Sequence, residues 1–290
     1  MSINVTPTGQ ACGAFVEGAD LTTVLSQEVV AEIRAAWLEH HVLVFAEQRM
    51  TNEDLERFTL YFGAFGHDPF FEPIPGHDHI AAICRTADET ASIFAETWHT
   101  DWSFQKNPPI GTCLYGITIP PVGGDTLYAN QHLALERMPD EMRRRFENKV
   151  AIHSAALGYS KAGLHGDREA DSDRSMKIVA SDEALAQQSH PLVKAHGETA
   201  RLGIFGAPLS YIIGFEDTDA EETDELLKEL HKWQTREEFI YRHKWKPGML
   251  VLWDNRSVLH RATGGYEGYD RLLHRTTIAA ADQAWTARTG

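Results

Sequence analysis

The sequence predicts a mainly β protein with flanking helices, built on an antiparallel double-sheet or jelly-roll core. Three observations carry that expectation. Short runs rich in β-branched residues recur along most of the 290 residues. Glycine, proline and asparagine punctuate them as turn signals. Only a few stretches show the i, i+3, i+4 spacing of a helix. At roughly 100–200 residues per domain, a single domain over residues 1–290 is the expected organisation.

Residues 27–38 place Val29, Val30, Ile33, Ala36 and Trp37 at helical spacing, and residues 41–46 read HVLVFA, a buried strand. Thr51 before Glu53 and Asp54 reads as a helix N-cap with acids in the first turn, and Leu55, Phe58 and Phe62 give that helix an apolar face. Strands follow at 80–85 and 112–118. Pro120–Pro121 and Gly123–Gly124 turn the chain into a strand at 125–130, and a helix starts across 139–146. Residues 158–175 lack periodicity and read as a long surface loop, a candidate lid over a bound substrate. A helix at 221–233 carries Leu226, Leu227, Leu230 and Trp233 on one side. A turn at 246–248 feeds a strand at 249–253, and the last strand runs over 272–278.

The charge balance is 27 basic against 42 acidic residues, a net −15. An acidic surface repels phosphate backbones, and no basic run with interleaved aromatics offsets it, so no nucleic-acid partner is expected. A small anion held by pocket arginines remains compatible, because distant surface charge is screened. No apolar stretch approaches the roughly 18 residues of a membrane span. The first residues lack the basic start and apolar core of a signal peptide. Three widely spaced cysteines, Cys12, Cys84 and Cys113, suit a reducing compartment. The expectation is a cytoplasmic protein without a membrane partner.

The sharpest chemical signal is Thr97-Trp98-His99-Thr100-Asp101-Trp102. On a strand, His99 and Asp101 would project from the same face. With one further histidine they make a two-His, one-carboxylate site that leaves positions open on iron(II). An HxD alone is weak: the copy at His165–Asp167 lies in the polar loop, and His77–Asp78–His79 follows Pro75–Gly76 as an exposed turn. The C-terminal run adds Trp253-Asp254-Asn255-Arg256, His260, Arg271 and Arg275. The two arginines are an even number of residues apart and share a strand face, and a guanidinium grips a carboxylate through two parallel hydrogen bonds.

Together with Gly123-Gly124-Asp125-Thr126 and His190-Pro191-Leu192-Val193, these motifs make the chain resemble the taurine/2,4-dichlorophenoxyacetate dioxygenase family. The resemblance runs from Gly13–Ala14 to the C-terminal motif. It implies a double-stranded β-helix core, and a dioxygenase that uses Fe(II), 2-oxoglutarate and O2 and releases succinate and CO2. It further implies that His99, Asp101 and His260 ligate iron and that Arg271 and Thr126 hold 2-oxoglutarate. Arg275 would meet the anionic group of a substrate, with Trp253 in the pocket wall. Relatives of this kind form dimers or tetramers, so a homo-oligomer is expected.

Against taurine itself, Asp68 stands where taurine-specific relatives offer a histidine, and Ala95 where they offer an asparagine. Phe70, Phe71, Ile93, Phe94, Phe104, Leu209 and Tyr211 suggest a more apolar pocket, fit for an aryloxyalkanoate, an arylalkanoate or another hydrophobic small acid. Oxidation next to an ether oxygen would fragment the product. An alkylsulfonate substrate is the alternative within the family.

Plainer roles compete for each residue. Arg271 could pair with Asp270 or Glu267, Thr126 could be an ordinary strand threonine, Arg275 could solvate a strand end, and the aromatics could fill the core. His153 and His190 read as structural. A zinc hydrolase using the same triad would need a general base but no cosubstrate clamp, and a small-molecule sensor would bind its ligand without forming succinate.

Overall fold

Successive side chains on a strand point to opposite faces, so the continuous apolar runs at 42–45 and 250–253 meet two different layers. The computed structural model describes residues 2–167 and 172–280. Its strands are β1 (Asn4–Pro7), β2 (Ala14–Glu17), β3 (Val42–Phe45), β4 (Ala81–Arg85), β5 (Gly111–Thr118), β6 (Thr126–Asn130), β7 (Val150–Ser154), β8 (Gln187–Pro191), β9 (Val193–Ala195), β10 (Leu202–Ile204), β11 (Ile212–Phe215), β12 (Ile240–His243), β13 (Leu250–Asp254), β14 (Val258–Ala262) and β15 (Arg271–Ile278). The helices are α1 (Gln27–His40), α2 (Asn52–Leu60), α3 (Gln131–Glu136), α4 (Asp140–Phe146), α5 (Ala156–Tyr159) and α6 (Ala220–Gln234).

The main sheet has seven strands in the order β1-β2-β3-β13-β5-β15-β4. On one face Leu43, Phe45, Cys113, Tyr115, Leu250 and Leu252 pack against Val29, Ile33 and Trp37 of α1 and Leu55 and Phe58 of α2. On the other, Val42, Val44, Leu114, Val251, Trp253 and Leu273 meet Tyr128, Tyr241 and Val258. Those three belong to a second sheet, β12-β6-β14. A third sheet, β11-β7-β8, supports α4 and α6 through Ala151, Ile212, Phe215, Leu226 and Leu230. Arg271 and Arg275 share the parity of Leu273 on β15, so both point into the space between the sheets.

Local signals explain the helix starts. Thr51 and Asp54 form a reciprocal capping box at α2, in which each side chain accepts from the other residue's backbone N–H. Asp219 accepts from the Glu222 N–H and caps α6. No helix among the described residues is long and apolar enough to cross a membrane.

Two expectations need correction. His99 and Asp101 do not lie on a regular strand: His99 forms an isolated bridge with His260, and Asp101 opens a turn in which Trp102 takes φ +50°. The turn is imposed by tertiary contacts, since nothing in the run Trp98-His99-Thr100-Asp101-Trp102 requires it. The stretch 158–175 is more ordered than a plain loop. It begins inside α5, and turns linked by backbone hydrogen bonds, such as His165 N–H to the Gly158 carbonyl at 2.8 Å, carry it onward. Residues 168–171 of the candidate lid lie outside the described residues.

Candidate active site

Strand β14 carries His260, and the bridge brings His99 beside it through two backbone hydrogen bonds of 3.0 and 2.7 Å. The Thr100 hydroxyl donates to the Asn255 carbonyl at 2.7 Å and pins the peptide between His99 and Asp101. The Nε2 atoms of His99 and His260 then lie 3.9 and 3.8 Å from Asp101 Oδ1. One ligand atom from each residue falls within 4.8 Å of the others, a grouping found nowhere else among the described residues.

The imidazoles are prepared to act as ligands. His99 Nδ1 donates to the Thr97 carbonyl at 2.8 Å, which leaves the Nε2 lone pair free. Burial holds the His260 pKa well below the usual histidine value, with His99 and Arg275 adding to the effect. Burial also lowers that of His99, against the opposing pull of Asp101. Both rings are therefore neutral at neutral pH, as metal ligation requires. Two imidazole nitrogens and one carboxylate oxygen form a donor set suited to iron(II).

Asp101 is braced from behind. Trp253 Nε1 donates to Asn255 Oδ1 at 2.8 Å, Asn255 Nδ2 donates to Thr112 Oγ1 at 3.0 Å, and the Thr112 hydroxyl donates to Asp101 Oδ2 at 2.6 Å. Oδ2 is thus occupied while Oδ1 faces the histidines. Trp253 also lies 4.7 Å, ring to ring, from His260. The neighbouring Asp254 and Arg256 turn away from the site. Arg256 grips Asp254 through bonds of 2.8 and 2.7 Å, and His196 donates to Asp254 at 2.9 Å.

Arg271 is buried, and no carboxylate among the described residues pairs with it. Neither plainer partner takes it. Asp270 accepts from the Ala87 N–H at 2.8 Å and Glu267 from the Gly265 N–H at 3.4 Å. Its contacts are the Gly124 carbonyl at 3.4 Å and the face of Tyr266 at 5.6 Å, while Nε has no partner. Burial lowers its pKa. The glycine pair makes room here: a Cβ on Gly123 would sit 2.3 Å from the Gly265 carbonyl oxygen, and one on Gly124 would press on Arg271 Nε at 3.4 Å. Thr126 is buried, and its oxygen accepts from Trp245 Nε1 at 2.9 Å, which leaves the hydroxyl hydrogen to donate elsewhere. A cleft lined by Ile83, Cys84, Glu89, Phe94, Met176 and Tyr266 opens beside Arg271. The end of the 158–175 segment docks at this cleft, with Asp173 accepting from the Thr90 and Ala91 N–H groups at 2.6 and 2.9 Å.

Phe70, Phe71, Phe94, Phe104 and Tyr211 come together in one packed aromatic cluster, joined by Trp102, Tyr159 and Met176. Two expected members stand apart. Leu209 is 48% exposed at φ +65°, and Ile93 is half-buried near Gly264. Trp98 packs in a separate cluster with Leu127 and Leu259. Arg275 is buried, not at a solvated strand end. It stacks over Phe71 and Trp102 at 4.6 and 5.2 Å and pairs with Asp68 at 2.9 Å, with Asp101 Oδ1 at 3.6 Å. Burial would lower its pKa, but the two carboxylates outweigh that and raise it. His153 and His190 are structural, bonded to Ser103 Oγ and the Gln105 carbonyl.

Comparison with known proteins places these features in context. The family model described as Taurine catabolism dioxygenase TauD, TfdA family matches residues 4–277. The chain is 32% identical over 269 residues to the alkylsulfatase of Acinetobacter baylyi, covering 92% of this chain and 82% of that protein. It is 30% identical over 275 residues to the (S)-phenoxypropionate/alpha-ketoglutarate-dioxygenase of Delftia acidovorans, covering 90% and 89%. The crystal structure of a taurine dioxygenase from Burkholderia xenovorans superposes with a TM-score of 0.77 at 31% identity, over 97% of this chain and 92% of that one.

Proposed function

The chain belongs to the TauD, TfdA dioxygenase family, and from that premise we propose that His99, Asp101 and His260 hold Fe(II) while Arg271 and Thr126 hold 2-oxoglutarate. The enzyme is a 2-oxoglutarate-dependent dioxygenase, and the reaction we assign to it is hydroxylation of a C–H bond in a small acid with an apolar, aryl-bearing body. The observation that carries the reading is a buried guanidinium without a counter-ion, on the same strand face as the triad's neighbour Arg275. The two facing sheets support a jelly-roll core, and the continuous family match supports one domain.

When bound, iron and 2-oxoglutarate supply the oxidising chemistry, consuming O2 and releasing succinate and CO2 as the substrate gains a hydroxyl. The protein's part is placement. Thr112 orients Asp101 so that one oxygen is available to the metal, and the Thr97 carbonyl fixes the His99 tautomer. Arg271 offers two parallel donors to a distal carboxylate, and Thr126 a hydroxyl hydrogen. The aromatic cluster beside the metal ligands would form the wall against which the substrate body packs, so that the reacting C–H is presented in one orientation. Arg275 lies against that cluster and would be the cation for an anionic head group.

A zinc hydrolase would have no use for Arg271, and a sensor would bind its ligand without forming succinate. A sulfate ester on an apolar alkyl body shares the required features, and the alkylsulfatase relative favours it as the second reading. The test is oxygen consumption and succinate formation by the iron-loaded enzyme with 2-phenoxypropionate, hexyl sulfate and taurine. Succinate formed in step with loss of 2-phenoxypropionate is the expected result. Preference for taurine would refute the substrate class, and turnover without O2 would refute the reaction class.

A further inference from the structure

The cation beside the aromatic cluster already has a partner inside the protein. Asp68 Oδ2 lies 2.9 Å from Arg275, and Asp68 Oδ1 accepts from Trp102 Nε1, so each carboxylate oxygen has one partner and keeps a lone pair to accept another bond. The pair is enclosed: the Arg275 side chain is 6% and that of Asp68 14% exposed. The rings of Phe71 and Trp102 lie 4.6 and 5.2 Å from the guanidinium carbon, and its Nε has no hydrogen-bond partner among the described residues. Asp101 is the only other carboxylate within reach of Arg275 among the described residues, at 3.6 Å, and its charge is committed once it holds a metal. What remains is one positive and one negative charge, fixed against each other.

From this we infer that Asp68 determines the charge preference of the substrate pocket. It makes the head-group subsite electrically balanced, so that the enzyme accepts aryl-bearing substrates with neutral polar heads, such as amides and alcohols, alongside acids. This rests on the functional reading above and deepens it. An unpaired buried arginine would strongly favour an anion, because a neutral ligand would leave its charge desolvated and uncompensated. A resident counter-ion removes that penalty. An arriving carboxylate gains less, since it must share Arg275 with Asp68 at close range. A neutral amide or hydroxyl meets Arg275 donors and Asp68 acceptors together and satisfies both. Selection then rests on packing of the apolar body against the aromatic cluster rather than on head-group charge.

The test compares a matched pair of probes, 2-phenoxypropionate and its neutral amide, 2-phenoxypropionamide. Binding is followed anaerobically through perturbation of the visible band of the protein–Fe(II)–2-oxoglutarate complex, in the full chain, without turnover. The readout is the ratio of the two dissociation constants, in which any general loosening of the fold cancels. Asp68→Asn keeps an acceptor for Trp102 and removes only the charge. It should shift the ratio toward the acid by at least about tenfold, a modest share of one unscreened charge contact. Adding Arg275→Gln to Asp68→Asn should abolish that shift. A ratio unchanged by Asp68→Asn overturns the inference, as does an amide that fails to perturb the wild-type band while the acid succeeds. Absence of the band in the wild-type complex is a separate result, and it would bring down the underlying assignment of the site.

Discussion

Thr112 is the residue through which the scaffold reaches the metal ligands, and Thr112→Val isolates that role because it removes the hydroxyl with little change of shape. Two buried groups lose their partner. Asn255 Nδ2 loses the acceptor at 3.0 Å, and Asp101 Oδ2 loses the donor at 2.6 Å. An unsatisfied buried amide costs about 1–3 kcal/mol, and a hydrogen bond to a charged group is worth about 1.5–3 kcal/mol. The metal-free variant should therefore lose roughly 2.5–6 kcal/mol in urea unfolding. Loss of such a bracing contact typically weakens metal binding by about 10- to 100-fold, and an anaerobic Fe(II) titration reads this directly. Thr112→Ser should restore both quantities. A Thr112→Val protein that binds iron as tightly as the wild type would show that Asp101 needs no brace.

Arg271→Met should weaken 2-oxoglutarate binding by roughly 10²- to 10³-fold, the loss of two charge-assisted hydrogen bonds. The cosubstrate-free protein should keep or gain stability, because a buried cation without a counter-ion is costly. A clear loss of stability in urea would mean that Arg271 serves an internal partner instead. Acid should destabilise the fold early. Burial lowers His41, His153 and His243 from 6.5 to about 3 in the folded protein, with neighbouring cations assisting at His41 and His153. The unfolded chain takes up these protons first, so stability present above pH 6.5 falls steadily between pH 6.5 and about 3. Three such groups cost roughly 4 kcal/mol by one pH unit below 6.5. Urea midpoints that stay constant from pH 7 to 5.5 would contradict this.

Much of the site was legible because its parts obey short-range rules. Even spacing put Arg271 and Arg275 on one face of β15, and the sheet geometry turned that face inward. Thr51 with Asp54 marked a helix start that α2 realises as a capping box. The HxD pair was legible as chemistry but not as structure, since the turn at Asp101 is set by the bridge to His260, more than a hundred residues away. Thr112 and Asn255 carried no signal of their own. A buried strand threonine becomes a brace only when β5 and the residue after β13 converge on the same carboxylate. Tyr159, from the stretch 158–175 without periodicity, and Met176, which directly follows it, join the aromatic cluster. The Asp68–Arg275 pair spans most of the chain, so a sequence reading could see an aspartate opposed to a sulfonate but not what the aspartate holds.

The central claim is that one pocket holds iron through the triad and 2-oxoglutarate through Arg271. Anaerobic titration of the apoprotein with Fe(II), then 2-oxoglutarate, tests it in a single cuvette. The expected result is a visible charge-transfer band that saturates at one cosubstrate per chain and is absent from His99→Ala and His260→Ala. Tight iron binding with no band on adding 2-oxoglutarate would contradict it.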